Sequence, residues 1–498
     1  MIRAALHRLS RHTLIYSTAE QLGRLAGFLL LPLTTGYLGE VEFGTRELVA
    51  VTITLLAQLA GVNISAAMSR FYFDAHDDNA RRAVISTSIL SVAAAAIVVG
   101  AIALGTAGVW AHLLPFPGED KTVILRLTIG IFVLQVLREI QSKVLQTQER
   151  SILYGTLSLA KLAAEVGLQV LFLVKLRAGL IGLLEAVAIT ECSFALIHAF
   201  ILLPSIGVRF SVSVFRRLLA YSLPLVPNGI LQFCLHSSDR YFISALCGGG
   251  ALGLYALGYK LGYVTNYLIL GPFLLIWYPF VFSLPSDEVR RSMIGRLTPY
   301  FMLVLTAATL ATSLFADVLV GSASRGHGFI AATGTVPWVA TGYWCWGLFQ
   351  ILQTGFFVSK RTQLLPRLTF SALVTNVFLN ISLIPALGFL GAAVATALTF
   401  AVLCICTGLK AHVEYAVLHR WGRILTPALA AMLASLVVVA ARSLVPPHFH
   451  HALGGVALAL WTLLAWRVAL DRAERAACTA TVLTISRKLA GRNSHPTE

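Results

Sequence analysis

Apolar runs long enough to cross a bilayer follow one another almost from end to end of this chain, and no other feature limits its fold as strongly. A spanning helix needs about 20 mostly apolar residues. Inside lipid every backbone N–H and C=O must be paired within the protein, which leaves helical bundles and closed barrels. Barrel strands alternate apolar and polar residues. The run Val92–Leu104 holds only Ala, Ile, Val and Leu apart from Gly100, and does not alternate. A helical bundle follows. Composition agrees: 57% of residues are hydrophobic and 12% charged, against about a quarter charged in soluble proteins.

Windows of about 19 residues place spans near 12–37, 46–68, 84–112, 122–147, 152–175, 178–204 and 215–240. Further spans fall near 250–283, 295–320, 334–358, 364–387, 388–411, 423–444 and 450–471. The expectation is an all-α polytopic membrane protein with about 14 transmembrane helices. The spans group as a six-helix lobe over 1–210, a second over 211–412, two further helices over 413–472 and a tail over 473–498. With the N-terminus inside, roughly 25 basic residues fall in cytoplasmic segments and roughly 7 outside, as the positive-inside rule requires. Both termini are therefore expected in the cytoplasm. No A-x-A cleavage site follows the first apolar run, so the N-terminus is expected to be retained.

The net charge of +16 is explained by this topology and by attraction to anionic lipid. No loop is long enough to fold as a basic module, so nucleic acid is excluded as a partner. No metal site is expected. Cys404 and Cys406 point to different helix faces, and His448, His450 and His451 lack the spacing of a ligand set. Gly248, Gly250 and Gly253 satisfy G-x-G-x-x-G, but without a preceding strand they read as a helix turn. They echo Gly39 and Gly44, five apart between the first two spans. No catalytic set emerges, and Asp74, Asp77 and Asp78 are balanced by Arg70, Arg81 and Arg82 in a solvated loop.

Ionisable residues inside spans cost about 2.5–3.5 kcal/mol each on insertion scales and persist where they pair or line a wet cavity. Glu20 and Arg24 lie one helical turn apart on the first span, beside Thr13, Ser17 and Gly27. Gln135, Arg138, Glu139, Ser142 and Gln146 form one polar stripe on the fourth span, and Tyr154, Ser158, Lys161, Glu165 and Gln169 form another on the fifth. A water-filled cavity in the first lobe accounts for all three faces; a set of internal salt bridges is the alternative. The seventh span carries Asn228, Gln232, His236, Asp239 and Arg240 after Pro224 and Pro227. The next has Tyr255, Tyr259, Tyr263 and Tyr267 at four-residue steps, with Lys260 among them. Such tyrosines suit sugar contact, packing or an interfacial belt.

Several stretches resemble the oligosaccharide and polysaccharide flippase branch of the multidrug/oligosaccharidyl-lipid/polysaccharide exporter superfamily. They are Pro32-Leu-Thr-Thr-Gly-Tyr-Leu-Gly39 with Glu42-Phe-Gly44, and Gly61-Val-Asn-Ile-Ser-Ala-Ala-Met-Ser-Arg70. Ser222-Leu-Pro-Leu-Val-Pro227, Ser238-Asp-Arg-Tyr-Phe242 and Gly253-Leu-Tyr-Ala256 continue the match, followed by Asn376, Asn380, Ile384-Pro385 and Gly388-Phe-Leu-Gly-Ala-Ala393. The resemblance implies two six-helix bundles in a V around a central cavity that alternates between inward and outward openings. It implies an undecaprenyl-diphosphate-linked glycan as cargo, membrane lipid and polysaccharide polymerase or export machinery as partners, and a place in the bacterial inner membrane. No cofactor is implied, and proton or sodium coupling is left open.

On that resemblance Arg24, Arg138, Lys161 and Lys260 are expected to face diphosphate or acidic sugar, with Arg240 as a further cation. Arginine forks match phosphate oxygens and lysine acts as a point charge. Tyr259, Tyr263, Asn228 and Gln232 are expected to contact sugar, while Glu20, Glu139, Glu165 and Asp239 are the candidates for ion coupling. Two other classes stay open: a multidrug or cation antiporter of the same architecture, and an integral glycosyltransferase or polymerase.

Overall fold

The computed structural model describes residues 16, 18, 21–23, 25–61, 63–106, 108, 121–324, 328–442 and 444–476. Every regular element among them is helical. Among the described residues nine helical stretches are long and apolar enough to cross a bilayer. There are ten if Glu40–Leu59 and Ile64–Asp74, bent by 44°, are one broken span. One of the nine, Val212–Ser283, runs for 72 residues; at 1.5 Å per residue that is roughly three bilayer thicknesses, so it holds more than one crossing. The chain is a multi-pass integral membrane protein. Its apolar helices keep apolar surface outward: Trp421–Arg442 has a mean hydropathy of 2.3, yet only 22% of its most apolar window is buried.

The chain forms two compact units. The first comprises Met1–Gly258, Val320–Ala332 and Thr369–Ala395; the second comprises Tyr259–Leu319, Thr333–Leu368 and Thr396–Glu498.

The first unit opens with α1 (Leu31–Tyr37), α2 (Glu40–Leu59), α3 (Ile64–Asp74) and α4 (Asp78–Gly105). The Asp77 carboxylate caps α4 by accepting from the Ala80 N–H at 2.5 Å, which satisfies a donor the helix cannot. After α5 (Lys121–Thr147) come α6 (Ser151–Val170) and α7 (Gly179–Ile206). α7 packs against both α5 and α6, and α4 packs on α5. α5 is not among the nine stretches because Arg126, Arg138, Glu139 and Lys143 interrupt it, although it is long enough to span. α8 (Val212–Ser222) leads into α9 (Val226–Gly262). Gly248, with φ +86°, breaks α9, a conformation that glycine alone adopts without strain.

In the second unit α10 (Gly271–Ser283) is followed by α11 (Asp287–Leu314), whose N-terminus is capped by the Ser286 hydroxyl accepting from the Val289 N–H. α13 (Thr335–Leu352), α14 (Thr354–Val358), most of α16 (Phe389–Glu414), α17 (Trp421–Arg442) and α18 (His450–Val468) also belong to it, whereas most of α12 (Ala316–Ser324) and of α15 (Leu364–Leu387) belongs to the first unit. α11, α17 and α18 share a buried core of Leu310, Leu314, Ala431, Val438, Trp461 and Ala465.

Beyond α18 the Glu474 carboxylate ties these helices together. It accepts from the Tyr300 hydroxyl, from the Asp471 N–H at 2.7 Å and from Arg423 Nη1 at 3.2 Å. The Tyr300 bond first, then the Asp471 N–H and the Arg423 charge, hold its pKa down at about 2, against an ordinary 4.5. A depressed carboxyl pKa contributes stability that is complete above the ordinary value and is lost as pH falls through the folded one. The melting temperature is therefore expected to drop between pH 4.5 and pH 2. Glu474→Gln should flatten that part of the profile in a thermal-melt series.

Candidate functional site

The polar stripes of α5 and α6 face one cavity of about 390 Å³ in the first unit. Arg46, Arg138, Ser142, Tyr154, Ser158, Lys161, Glu165, Gln169 and His198 line it. Helical periodicity alone brings each stripe to one face, and α7 supplies what joins them.

Glu191 of α7 is the hub. One carboxylate oxygen accepts from Arg138 Nε at 2.5 Å, and the other lies 3.1 Å from Lys161 Nζ. Lys161 also donates to Glu165 at 2.7 Å, and Arg138 lies 3.8 Å from Glu139. Gln135 donates to Glu139 at 2.9 Å and Gln169 to Glu165 at 3.2 Å, so the chain of contacts crosses all three helices. Burial is graded along it. The Glu191 side chain is 5% exposed, Arg138 15%, Lys161 20% and Glu165 28%. Glu191 holds the two cations from below, while their open sides face the cavity. His198, two turns beyond Glu191, reaches the same cavity with one ring nitrogen on the Phe194 carbonyl at 2.7 Å. Two cations that share one carboxylate retain donors for an incoming anion, and a guanidinium and an ammonium together suit phosphate oxygens.

Glu20 and Arg24 lie outside the described residues; Gly23 and Gly27, which flank Arg24, line the cavity. Glu191, Arg46 and His198 are the members that sequence reasoning missed. The signal was available, since an ionisable residue inside an apolar span is by default a candidate. On α7, however, Glu191 has no polar stripe around it to draw attention.

Asp239 and Arg240 form a separate buried cluster in the same unit. Arg240 Nη1 donates to Asp239 at 2.7 Å and to the His236 carbonyl at 2.6 Å, with Glu47 of α2 at 3.8 Å from Nε. The Tyr255 hydroxyl donates to Asp239, and Arg240 lies over the Tyr255 ring. This cluster fastens both halves of α9, on either side of Gly248, to α2. On α9, Asn228 is exposed and Gln232 half-buried.

In the second unit the tyrosine stripe closes on itself. Tyr259 and Tyr343 share a hydroxyl–hydroxyl bond at 2.5 Å, and Tyr263 packs edge-on to Tyr343 with centroids 4.3 Å apart. Lys260 is half-buried beside them. The described structure thus gathers Arg138, Lys161, Glu139 and Glu165 at one network, Asp239 and Arg240 at a second, and Tyr259 and Tyr263 at an aromatic cluster.

The sequence profile of the polysaccharide biosynthesis proteins matches residues 9–284, more than half of the chain. The chain belongs to the polysaccharide biosynthesis protein family. All of the first-unit network lies within the stretch that defines this family. No curated protein matches the sequence. Among solved structures the family member resembles the lipid II flippase MurJ in an inward closed conformation, with a TM-score of 0.72 and 12% identity over 91% of this chain and 99% of that one. It also resembles an inward-facing multidrug resistance MATE family transporter of the MOP superfamily, with a TM-score of 0.63 and 15% identity over 79% and 94%. A third is a MOP superfamily transporter from Pyrococcus furiosus, described as having a binding pocket of reversed polarity, at 0.57 and 16% over 83% and 96%. At these identities the likeness is one of fold. The solved proteins that share it are described as a flippase and as transporters.

Proposed function

We propose that this polysaccharide biosynthesis protein is a flippase. It carries an undecaprenyl-diphosphate-linked oligosaccharide from the cytoplasmic to the periplasmic leaflet by alternating access, for surface or exo-polysaccharide synthesis. The observation that supports this best is the cavity in which Arg138 and Lys161 share Glu191. The site offers a fork and a point charge on one polar face, and a diphosphate can take up the donors that Glu191, Glu139 and Glu165 leave free. Arg24, Lys260 and Arg240 belong to the proposed cationic set, with Asn228, Gln232, Tyr259 and Tyr263 toward sugar. Glu139, Glu165, Glu20 and Asp239 tune these cations or carry a coupling ion.

The proposal includes 14 spans, as expected from about 19-residue windows. Two six-helix lobes, 1–210 and 211–412, form a V, with two additional helices over 413–472 and a cytoplasmic tail over 473–498. It places both termini on the cytoplasmic side of a bacterial inner membrane, beside polymerase and export machinery. An antiporter for drugs or cations is the second reading, favoured by one observation: Glu139, Glu165 and Glu191 match the cavity cations nearly charge for charge.

The test uses cells that lack the protein, have no redundant flippase and still make the lipid-linked glycan. Leaflet-selective labelling is expected to find the glycan stranded on the cytoplasmic side. Wild type should restore it, and Lys161→Gln should restore about tenfold less. A glycan that crosses normally without the protein would move the antiporter to the front.

A further inference from the structure

At the end of the second unit opposite Arg442, two cavities share one thin wall. The first is apolar, about 990 Å³, and lies among α11, α13, α16 and the start of α17. The second, about 1140 Å³, is lined by charged side chains from the N-terminus of α11, the α16–α17 connection and the segment after α18. The wall is the connection itself. Residues 416–420 have no regular secondary structure, and their side chains alternate as in any extended chain. Tyr415, Val417, His419 and Trp421 line the apolar chamber, whereas Ala416, Leu418 and Arg420 line the charged one, and His419 touches both. The wall lies directly on α11 because position 295 is glycine; a Cβ there would stand 2.6 Å from the Leu418 carbonyl oxygen.

The charged chamber is not neutral once its internal pairs are removed. Asp287 pairs with Arg290, Asp471 with Arg420 and Arg423, and Glu474 with Arg423. Arg291 packs over the Tyr415 ring at 4.5 Å, and Arg296 has no ion pair among the described residues. Glu288 is the remaining carboxylate, so positive charge is left over. His419 adds an independent sign. Its Nδ1 is buried without a hydrogen-bond partner, which costs free energy unless a ligand supplies one. Burial first, then the neighbouring His412, pushes its pKa down to about 4, so the ring is neutral and offers a directed bond rather than a charge.

We infer that these adjoining cavities bind an anionic phospholipid of the cytoplasmic leaflet, with its chain in the apolar chamber and its headgroup passing His419, the residue that lines both, to reach Arg291 and Arg296. The site is separate from the first-unit cavity. It rests on the membrane orientation proposed above but not on flipping, so a protein that failed to flip glycan would keep it. The three chain segments that meet at the charged chamber all belong to loops that the basic-residue bias assigns to the cytoplasm. There a basic cluster meets lipid headgroups.

The purified full-length protein is placed in phosphatidylcholine nanodiscs doped with phosphatidylglycerol bearing a diazirine near the end of one chain, and crosslinks are mapped by peptide mass spectrometry. Labelling is expected on Leu348, Leu352, Ile405 and Leu409, about tenfold above that from phosphatidylcholine with the same diazirine. Arg291→Ala with Arg296→Ala should lower it about tenfold without lowering the melting temperature. Gly408→Phe, which fills the apolar chamber, should abolish it. Equal labelling by both lipids would overturn the inference, as would labelling that survives the double arginine change. Stronger displacement by decaprenyl phosphate than by phosphatidylglycerol would also overturn it, in favour of a station for cargo.

Discussion

Arg138→Ala is expected to lower the unfolding free energy by about 3–5 kcal/mol, the usual cost of leaving one member of a buried ion pair alone. Glu191, 5% exposed, would keep only Lys161, which it already shares with Glu165. Joint replacement, Arg138→Met with Glu191→Leu, should recover most of that loss. Buried pairs replaced by apolar groups of similar volume are often neutral or stabilising, and Lys161 retains Glu165 at 2.7 Å. Transport is expected to behave differently. The double variant should melt near wild type and still fail to move glycan, because the guanidinium fork is gone. Thermal melts and flipping rates on the same preparations check this. A double variant that is both stable and active would reduce the network to a helix fastener.

The second large effect lies at a backbone contact. Gly44 of α2 and Gly253 of α9 let two helices touch without side chains between them. A Cβ on Gly253 would stand 2.9 Å from the Glu40 carbonyl carbon and 3.2 Å from its Cα, and a Cβ on Gly44 would stand 2.8 Å from Gly253 N. Backbone cannot yield as a side chain can, so Gly44→Ala and Gly253→Ala should each cost about 3 kcal/mol or more. Gly249→Ala is the control. Its Cβ would meet Val41 Cγ1 at an ordinary 3.4 Å, and alanine is about 1 kcal/mol better than glycine in a helix. Melting temperatures should therefore fall sharply for the first two and hold or rise for the third. Equal melting of all three would remove the contact as a cause.

The all-helical, membrane-spanning character was legible because lipid forces long apolar runs, and the stripes of α5 and α6 were legible because a helix returns every 3.6 residues to one face. What joins the stripes was not. Glu191 sits on a mostly apolar helix without a continuous polar stripe, and nothing in local sequence says that it reaches Arg138 and Lys161, 53 and 30 positions away. The glycines were visible as a spacing and read as turns. Gly248 is a helix break, while Gly44 and Gly253 are a close approach that only tertiary structure defines. Asp239 and Arg240 were visible as charges, but their burial against Tyr255 and Glu47 depends on how α9 breaks at Gly248. Tyr259 and Tyr263 formed a stripe that suited sugar or packing; the partner that takes them up in the structure, Tyr343, comes from a distant helix.

Reconstitution tests the central claim most directly. Purified protein in proteoliposomes is supplied with a polyprenyl-diphosphate-linked oligosaccharide in the inner leaflet, and its arrival in the outer leaflet is followed with a membrane-impermeant glycan-binding probe. Transfer that requires wild-type protein and is lost in the stable Arg138→Met, Glu191→Leu variant is the predicted result. Transfer no faster than in protein-free vesicles, from protein that melts as a folded species, would contradict it.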